Sequence, residues 1–172
     1  MTVQRHRQGR LSHFPLPSAR SLTKIVRTVL AAEKSQLKGE VNVIFVDNAH
    51  IRRLNKSFLK ERSVTDVIAF GYKSVGMILG RHSGESRNPG LKQKVINLDP
   101  GFRRGDAGAD IFISVPVARS NAARYGETVS RELVRLVVHG LLHVLGYSDH
   151  KPKLKKMMWK KQEAFVQRFH PV

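Results

Sequence analysis

Hydrophobic positions along this chain switch between two periods. In "SLTKIVRTVLAAEKSQL" the residues Leu22, Ile25, Val26, Val29 and Leu30 recur at three- and four-residue steps, one face of a helix that Gly39 stops. "EVNVIFVD" alternates and is rich in β-branched residues, so it is predicted as a strand ending at Asp47. The side chain of Asp47 or of Asn48 suits the N-cap of the next helix, "AHIRRLNKSFLK". "VTDVIAFGYK" reads as a second strand. "ADIFISVPVARSNAARYG" begins as a third and leaves through Pro116 toward a helix that ends at Gly126. Thr128 or Ser130 then opens a long apolar helix, "RELVRLVVHGLLHVL", which stops at Gly146. The last element is a basic helix, "KLKKMMWKKQEAFVQRF". Its Leu154, Met157, Met158, Ala164 and Phe165 form a stripe read as core contact, with the lysines on the wet face.

The strands come first and most helices gather after them. This order predicts an α+β fold, a small mixed sheet with helices packed on it. At 172 residues the chain suits one domain, read as residues 21–172 behind a basic tail over residues 1–20. That opening stretch has several arginines and no acid, a composition also met in organellar transit peptides; a frayed tail is the preferred reading. One segment breaks the rhythm. Residues 80–108, "GRHSGESRNPGLKQKVINLDPGFRRGDAG", have no sustained period and separate two strands that a short turn would join. Their wording looks like a translated copy of the palindromic repeats scattered through some bacterial genomes, hence an inserted loop without chemistry. The functional alternative is a basic flap over bound RNA.

Charge changes the picture next. With 31 Lys+Arg against 13 Asp+Glu the net charge is +18, and a polyanion is drawn to such a surface before any specific contact forms. Nucleic acid is the first partner to consider, a merely solubilising surface the second. There is no cysteine, which excludes disulfides, thiolate ligands and cysteine nucleophiles and agrees with a cytoplasmic setting. Any metal site must use His and carboxylates. No segment reaches the roughly 20 apolar residues of a membrane helix.

"LVVHGLLHVLGYSDH" carries the candidate chemistry. Residues four apart on a helix face the same way, so His139 and His143 present two imidazoles to one ion. Gly146 lets the chain turn back in a left-handed conformation and bring a third ligand, Asp149 or His150, from the following loop. The offset favours Asp149, the frequency of histidine in such sites favours His150, and the choice stays open. The pattern is that of a zincin-like helix, H-x-x-x-H-x-x-G-x-x-(H/D), whose zinc keeps a position open for water. Burying two imidazoles among Val137, Val138, Leu141, Leu142, Val144 and Leu145 is unfavourable unless their nitrogens find partners. Position 140 is glycine, where H-E-x-x-H peptidases carry their general base, so a small metallopeptidase is the weaker alternative.

From His139 through Gly140, Leu142, His143, Gly146 and Tyr147 to Asp149 and His150, the chain resembles the YbeY family of bacterial metal-dependent endoribonucleases, with Ser148 as one extra residue. "LNKSFLKERSVTDVIAF" resembles a second family stretch through Leu54, Asn55, Phe58, Thr65, Asp66, Val67 and Phe70, and "ADIFIS" a third. The resemblance spans about residues 20–80 and 109–168. It implies an α+β fold, one zinc ion on three ligands, and trimming of small-subunit ribosomal RNA at its 3′ end together with ribosome quality control. It also implies RNA and the small ribosomal subunit as partners. Leu59 stands where the family usually has a basic residue serving RNA cleavage, and Lys60 or Arg62 would have to reach the phosphate instead. The alternative is a non-catalytic RNA- or ribosome-binding factor. Asp66 has two readings, a carboxylate orienting a ligand imidazole or a turn residue at the mouth of a strand.

Overall fold

The computed structural model describes residues 1–11, 14–35, 37–71 and 108–169. Strands β1 (Val3–Gln8), β2 (Val41–Val46), β3 (Val67–Gly71) and β4 (Ala109–Ser114) form one mixed sheet in the order β1-β2-β4-β3. β2 runs parallel to β1 and to β4, and β3 closes the other edge antiparallel to β4. Around it lie α1 (Ala19–Ala32), α2 (Asn48–Leu54), α3 (Val115–Tyr125), α4 (Val129–Val144) and α5 (Pro152–Phe169). This is the expected α+β class. Among the described residues no helix is long and apolar enough to cross a membrane.

The two central strands are buried along their whole length, which requires cover on both faces. Because strand side chains alternate, Val41, Val43 and Phe45 of β2 and Ala109, Ile111 and Ile113 of β4 form the larger core with α1 and α4. Ile44, Val46 and Phe112 point the other way and meet Ile51 of α2 and Ile68 of β3. Each fully buried aliphatic side chain contributes about 1.5–3 kcal/mol, so the first set of contacts dominates. All five residues predicted for the inner stripe of α1 are buried. Asp47 caps α2 by accepting from the His50 N–H, and Thr128 caps α4 by accepting from that of Arg131.

Three expectations are corrected. Residues 3–8 are not a frayed tail: "VQRHRQ" pairs in parallel with β2, Leu11 is only 1% exposed in the core, and α1 already begins at Ala19. Its sequence lacks an apolar alternation because an edge strand is held by backbone bonds to its neighbour, and charged side chains suit that edge. The helix expected to run on to Lys60 widens at Asn55–Leu59 into a π-helical turn, where buried Asn55 donates through Nδ2 to the Ser63 carbonyl at 2.9 Å. Lys60 ends the turn in a left-handed conformation, φ 65°. On α5, Met158 and Phe165 are buried as expected, together with Gln162 and Val166, but Leu154, Met157 and Ala164 are exposed. The inner face is the 158, 162, 165, 166 ladder, while the helix's opening residues, 152–157, are exposed throughout. Apart from Gly108, the loop predicted at 80–108 lies outside the described residues.

Candidate metal centre

α4 lies close on the sheet because position 140 is glycine. A Cβ there would stand 2.6 Å from the Ile111 methyl and 3.4 Å from that of Val67. Position 140 therefore faces the sheet, and a glutamate has no room in this packing. The helix ends in a Schellman motif: Gly146, at φ +94°, donates to the His143 carbonyl and Tyr147 donates to that of Leu142, each at 2.9 Å. The reversed chain brings Asp149 back to the helix. One ligand atom from each of His139, His143 and Asp149 lies within 4.8 Å of the others, and all three residues are half-buried. His150 is exposed, its backbone N–H donating to Ser148 Oγ at 3.4 Å, and it is outside this group.

Hydrogen bonds fix how the imidazoles face. His139 Nδ1 lies 2.8 Å from Gln162 Oε1, and His143 Nδ1 lies 3.0 Å from the Tyr147 carbonyl oxygen. The Gln162 amide cannot be turned round without loss, because its Nε2 donates to Glu163 Oε1 at 3.0 Å and a carboxylate only accepts. Both Nδ1 partners are thus acceptors, each Nδ1 donates, and the two Nε2 atoms face each other across 2.9 Å. Burial, then the neighbouring His139, hold the His143 imidazole below its ordinary pKa, a shift toward the neutral ring. Two imidazole nitrogens and a carboxylate oxygen converging in this way suit a cation, so the residues present fit the implied metal.

Behind Gln162 stands an ion-pair network. Arg135 Nε donates to Glu163 Oε1 at 2.8 Å, and the same guanidinium bonds Glu132 and Glu127. Burial alone would raise the Glu163 carboxyl, but the bonds from Arg135 and Gln162 outweigh it and hold the group below its usual range. The sequence reading missed Gln162, Glu163 and Arg135. A signal existed for the first: Gln162 is the polar residue inside the apolar ladder of α5.

Among the described residues no hydrogen bond joins the remaining predicted residues to the imidazoles. Asp66 Oδ1 accepts from the Val67 N–H at 2.8 Å and from the Thr65 hydroxyl at 3.3 Å, a cap at the start of β3. The Nδ1 atoms it was weighed as orienting bond Gln162 and Tyr147 instead. Lys60 and Arg62 are exposed after the π-helical turn, and Leu59 is 54% exposed at its end.

Fold and site together define an α+β domain built round a His-x-x-x-His helix. The chain belongs to the Endoribonuclease YbeY family, whose model matches residues 12–170. The Endoribonuclease YbeY of Geobacillus thermodenitrificans is 32% identical over 169 residues, 98% of this chain and 97% of that one. The Brevibacillus brevis protein of the same name is 34% identical over 144 residues, 83% of each chain. Among solved structures, the solution structure of TM1509 from Thermotoga maritima shares the fold, with a TM-score of 0.54 and 22% identity over 97% of this chain and 88% of that one.

Proposed function

We propose that this chain is a zinc-dependent endoribonuclease that cleaves single-stranded RNA in the cytoplasm, acting in 3′-end maturation of small-subunit ribosomal RNA and in ribosome quality control. The observation that carries the reading is the convergence of His139, His143 and Asp149, in a chain whose relatives bear the name endoribonuclease. Asp149 is taken as the third ligand in preference to His150. Nitrogen and oxygen donors without sulfur match zinc in a hydrolytic site. When bound, zinc supplies Lewis acidity and brings the pKa of a water toward about 7. The chain's own residues hold and orient. Gln162 and the Tyr147 carbonyl keep a proton on each Nδ1, so that each Nε2 is a donor atom. Lys60 and Arg62, exposed cations, take backbone phosphates, contacts that position RNA without reading its sequence.

A peptidase of the H-E-x-x-H kind is disfavoured because position 140 has no room for its glutamate. A second reading rests on exposed Leu59, which offers no charge to a phosphate: a non-catalytic RNA- or ribosome-binding factor. Chelator-treated protein should regain cleavage of single-stranded RNA, and not of casein, when zinc is returned. His139→Ala should stop cleavage yet keep most of the RNA affinity, and Leu59→Arg should raise the rate. Binding without cleavage in zinc or manganese would refute the nuclease and leave the binding factor.

A further inference from the structure

The first half of α5 is unusual for a surface helix. Trp159 is 60% exposed and Met157 56%, although both are large apolar side chains. From His150 to Gln162 there is no acid, and six lysines fall between positions 151 and 161. Among the described residues only Lys161 of these is ion-paired, to Glu33 at 2.8 Å. The exposed apolar residues do not form one stripe. At about 100° per residue, Met157 and Trp159 lie on opposite sides of the helix, which suits neither a lipid surface nor an apolar protein groove. What Trp159 does share a flank with is charge: Lys155 and Lys156 stand one turn before it. One turn after it stands Gln162, whose amide oxygen holds His139. The flank therefore runs from free cations, past an exposed aromatic ring, to the metal-facing histidine.

We propose that this flank of α5 is a stacking subsite for single-stranded RNA, Trp159 taking a base while Lys155 and Lys156 take adjoining phosphates. The inference rests on the nuclease reading for its occupant and deepens it by fixing the path by which a strand approaches the imidazoles. An indole accepts any base on its face, and two cations one turn away match the backbone that flanks that base. The subsite thus gives affinity and register without sequence preference.

Trp159 is the sole tryptophan, so its emission reports this surface alone. The full chain is titrated with a 2′-O-methylated single-stranded oligonucleotide, which resists cleavage, while a labelled copy reports binding by anisotropy. Tryptophan emission should be quenched in step with binding. Trp159→Ala should weaken binding about tenfold and Trp159→Phe should recover most of it, within the range that base–aromatic stacking supplies. The slope of log affinity against log salt should stay unchanged in both and become shallower by about 0.7 per phosphate lost in Lys155→Gln and Lys156→Gln. An oligonucleotide with abasic positions should bind with the same slope but without the quench. Binding seen by anisotropy with unchanged emission, or an equal quench from the abasic strand, would overturn the subsite and leave the nuclease reading intact. Quenching by base-bearing RNA in a protein that never cuts would do the reverse. Emission that responds to anionic vesicles and not to the oligonucleotide would make the partner a membrane and sink the proposal.

Discussion

At the scale of single residues, what makes the histidine pair chemical is the acceptor behind each ring. A neutral histidine whose Nδ1–H is held by a carbonyl-type oxygen keeps its lone pair on Nε2, and here the two Nε2 atoms meet. Gln162 is the replaceable member, because the Tyr147 partner is backbone. Gln162→Leu keeps the volume and removes the acceptor; zinc affinity should fall 10- to 100-fold, the usual cost of losing such a support, as read by competition with a chromophoric chelator. Gln162→Glu restores an acceptor and should recover most of the affinity. Equal affinity in the leucine variant would show that Gln162 only packs. The histidines were legible in the sequence because their spacing is itself the geometry of a helix face. Gln162 showed at most as a polar residue among apolar ones; its pairing with His139 was not legible, because it reaches across from another helix and leaves no local spacing.

At the scale of elements, the junction of β1 with α2 shows where local pattern succeeds and where it fails. A cap at Asp47 or Asn48 was readable, since either side chain before a helix satisfies free N–H groups, and Asp47 is the one that does so. That the same carboxylate also ties down the N-terminal strand was not readable: Arg10 donates its backbone N–H to Asp47 Oδ2 at 3.3 Å, and a Cβ on Gly9, at φ +89°, would collide with that side chain. The edge strand carries no apolar alternation, so only pairing with β2 reveals it. The wide turn after α2 and the outward-facing half of α5 escaped for the same reason: a tertiary contact at Asn55 and the limit of the domain's body decide them. The backbone N–H of His50, partly opposed by burial, holds the Asp47 pKa at about 2 against an ordinary 3.8. A carboxylate depressed in the fold stabilises fully above its unfolded value and loses that contribution as pH falls toward the folded one. Asp47→Ala should therefore lower stability at neutral pH by about 1 kcal/mol. The gap between wild type and variant in thermal melts should close between pH 3.8 and about 2. A gap that stays constant across that window would mean that the carboxylate's charge has no part in it.

At the scale of the whole molecule, the question is how much chain the fold needs. β3 and β4 are antiparallel neighbours in unbroken register, and the pairing runs from Val67 opposite Ile113 to Gly71 opposite Ala109. The ends that residues 72–108 connect are therefore already side by side, and a short turn suffices to join them. The histidines depend on α4, whose own register is set by the contact of Gly140 with Ile111 and Val67 on these same two strands. Any connection that keeps β3 paired to β4 keeps the floor under the site. Lengthening a connection adds to its closure entropy only slowly, about 0.6 kcal/mol for each doubling, so shortening this one should if anything stabilise. Replacing residues 81–106 by a short Gly-containing turn should accordingly leave the melting temperature at or slightly above that of the parent and the zinc content at one ion per chain. RNA affinity is the quantity that separates the two origins weighed for this segment. An inert insertion leaves both the affinity and its salt slope where they were, whereas a basic flap over RNA takes several phosphate contacts with it and flattens that slope by about 0.7 for each on a single strand. A fall in melting temperature or loss of zinc would show instead that the segment packs on the sheet and that the strand pair does not hold the site alone.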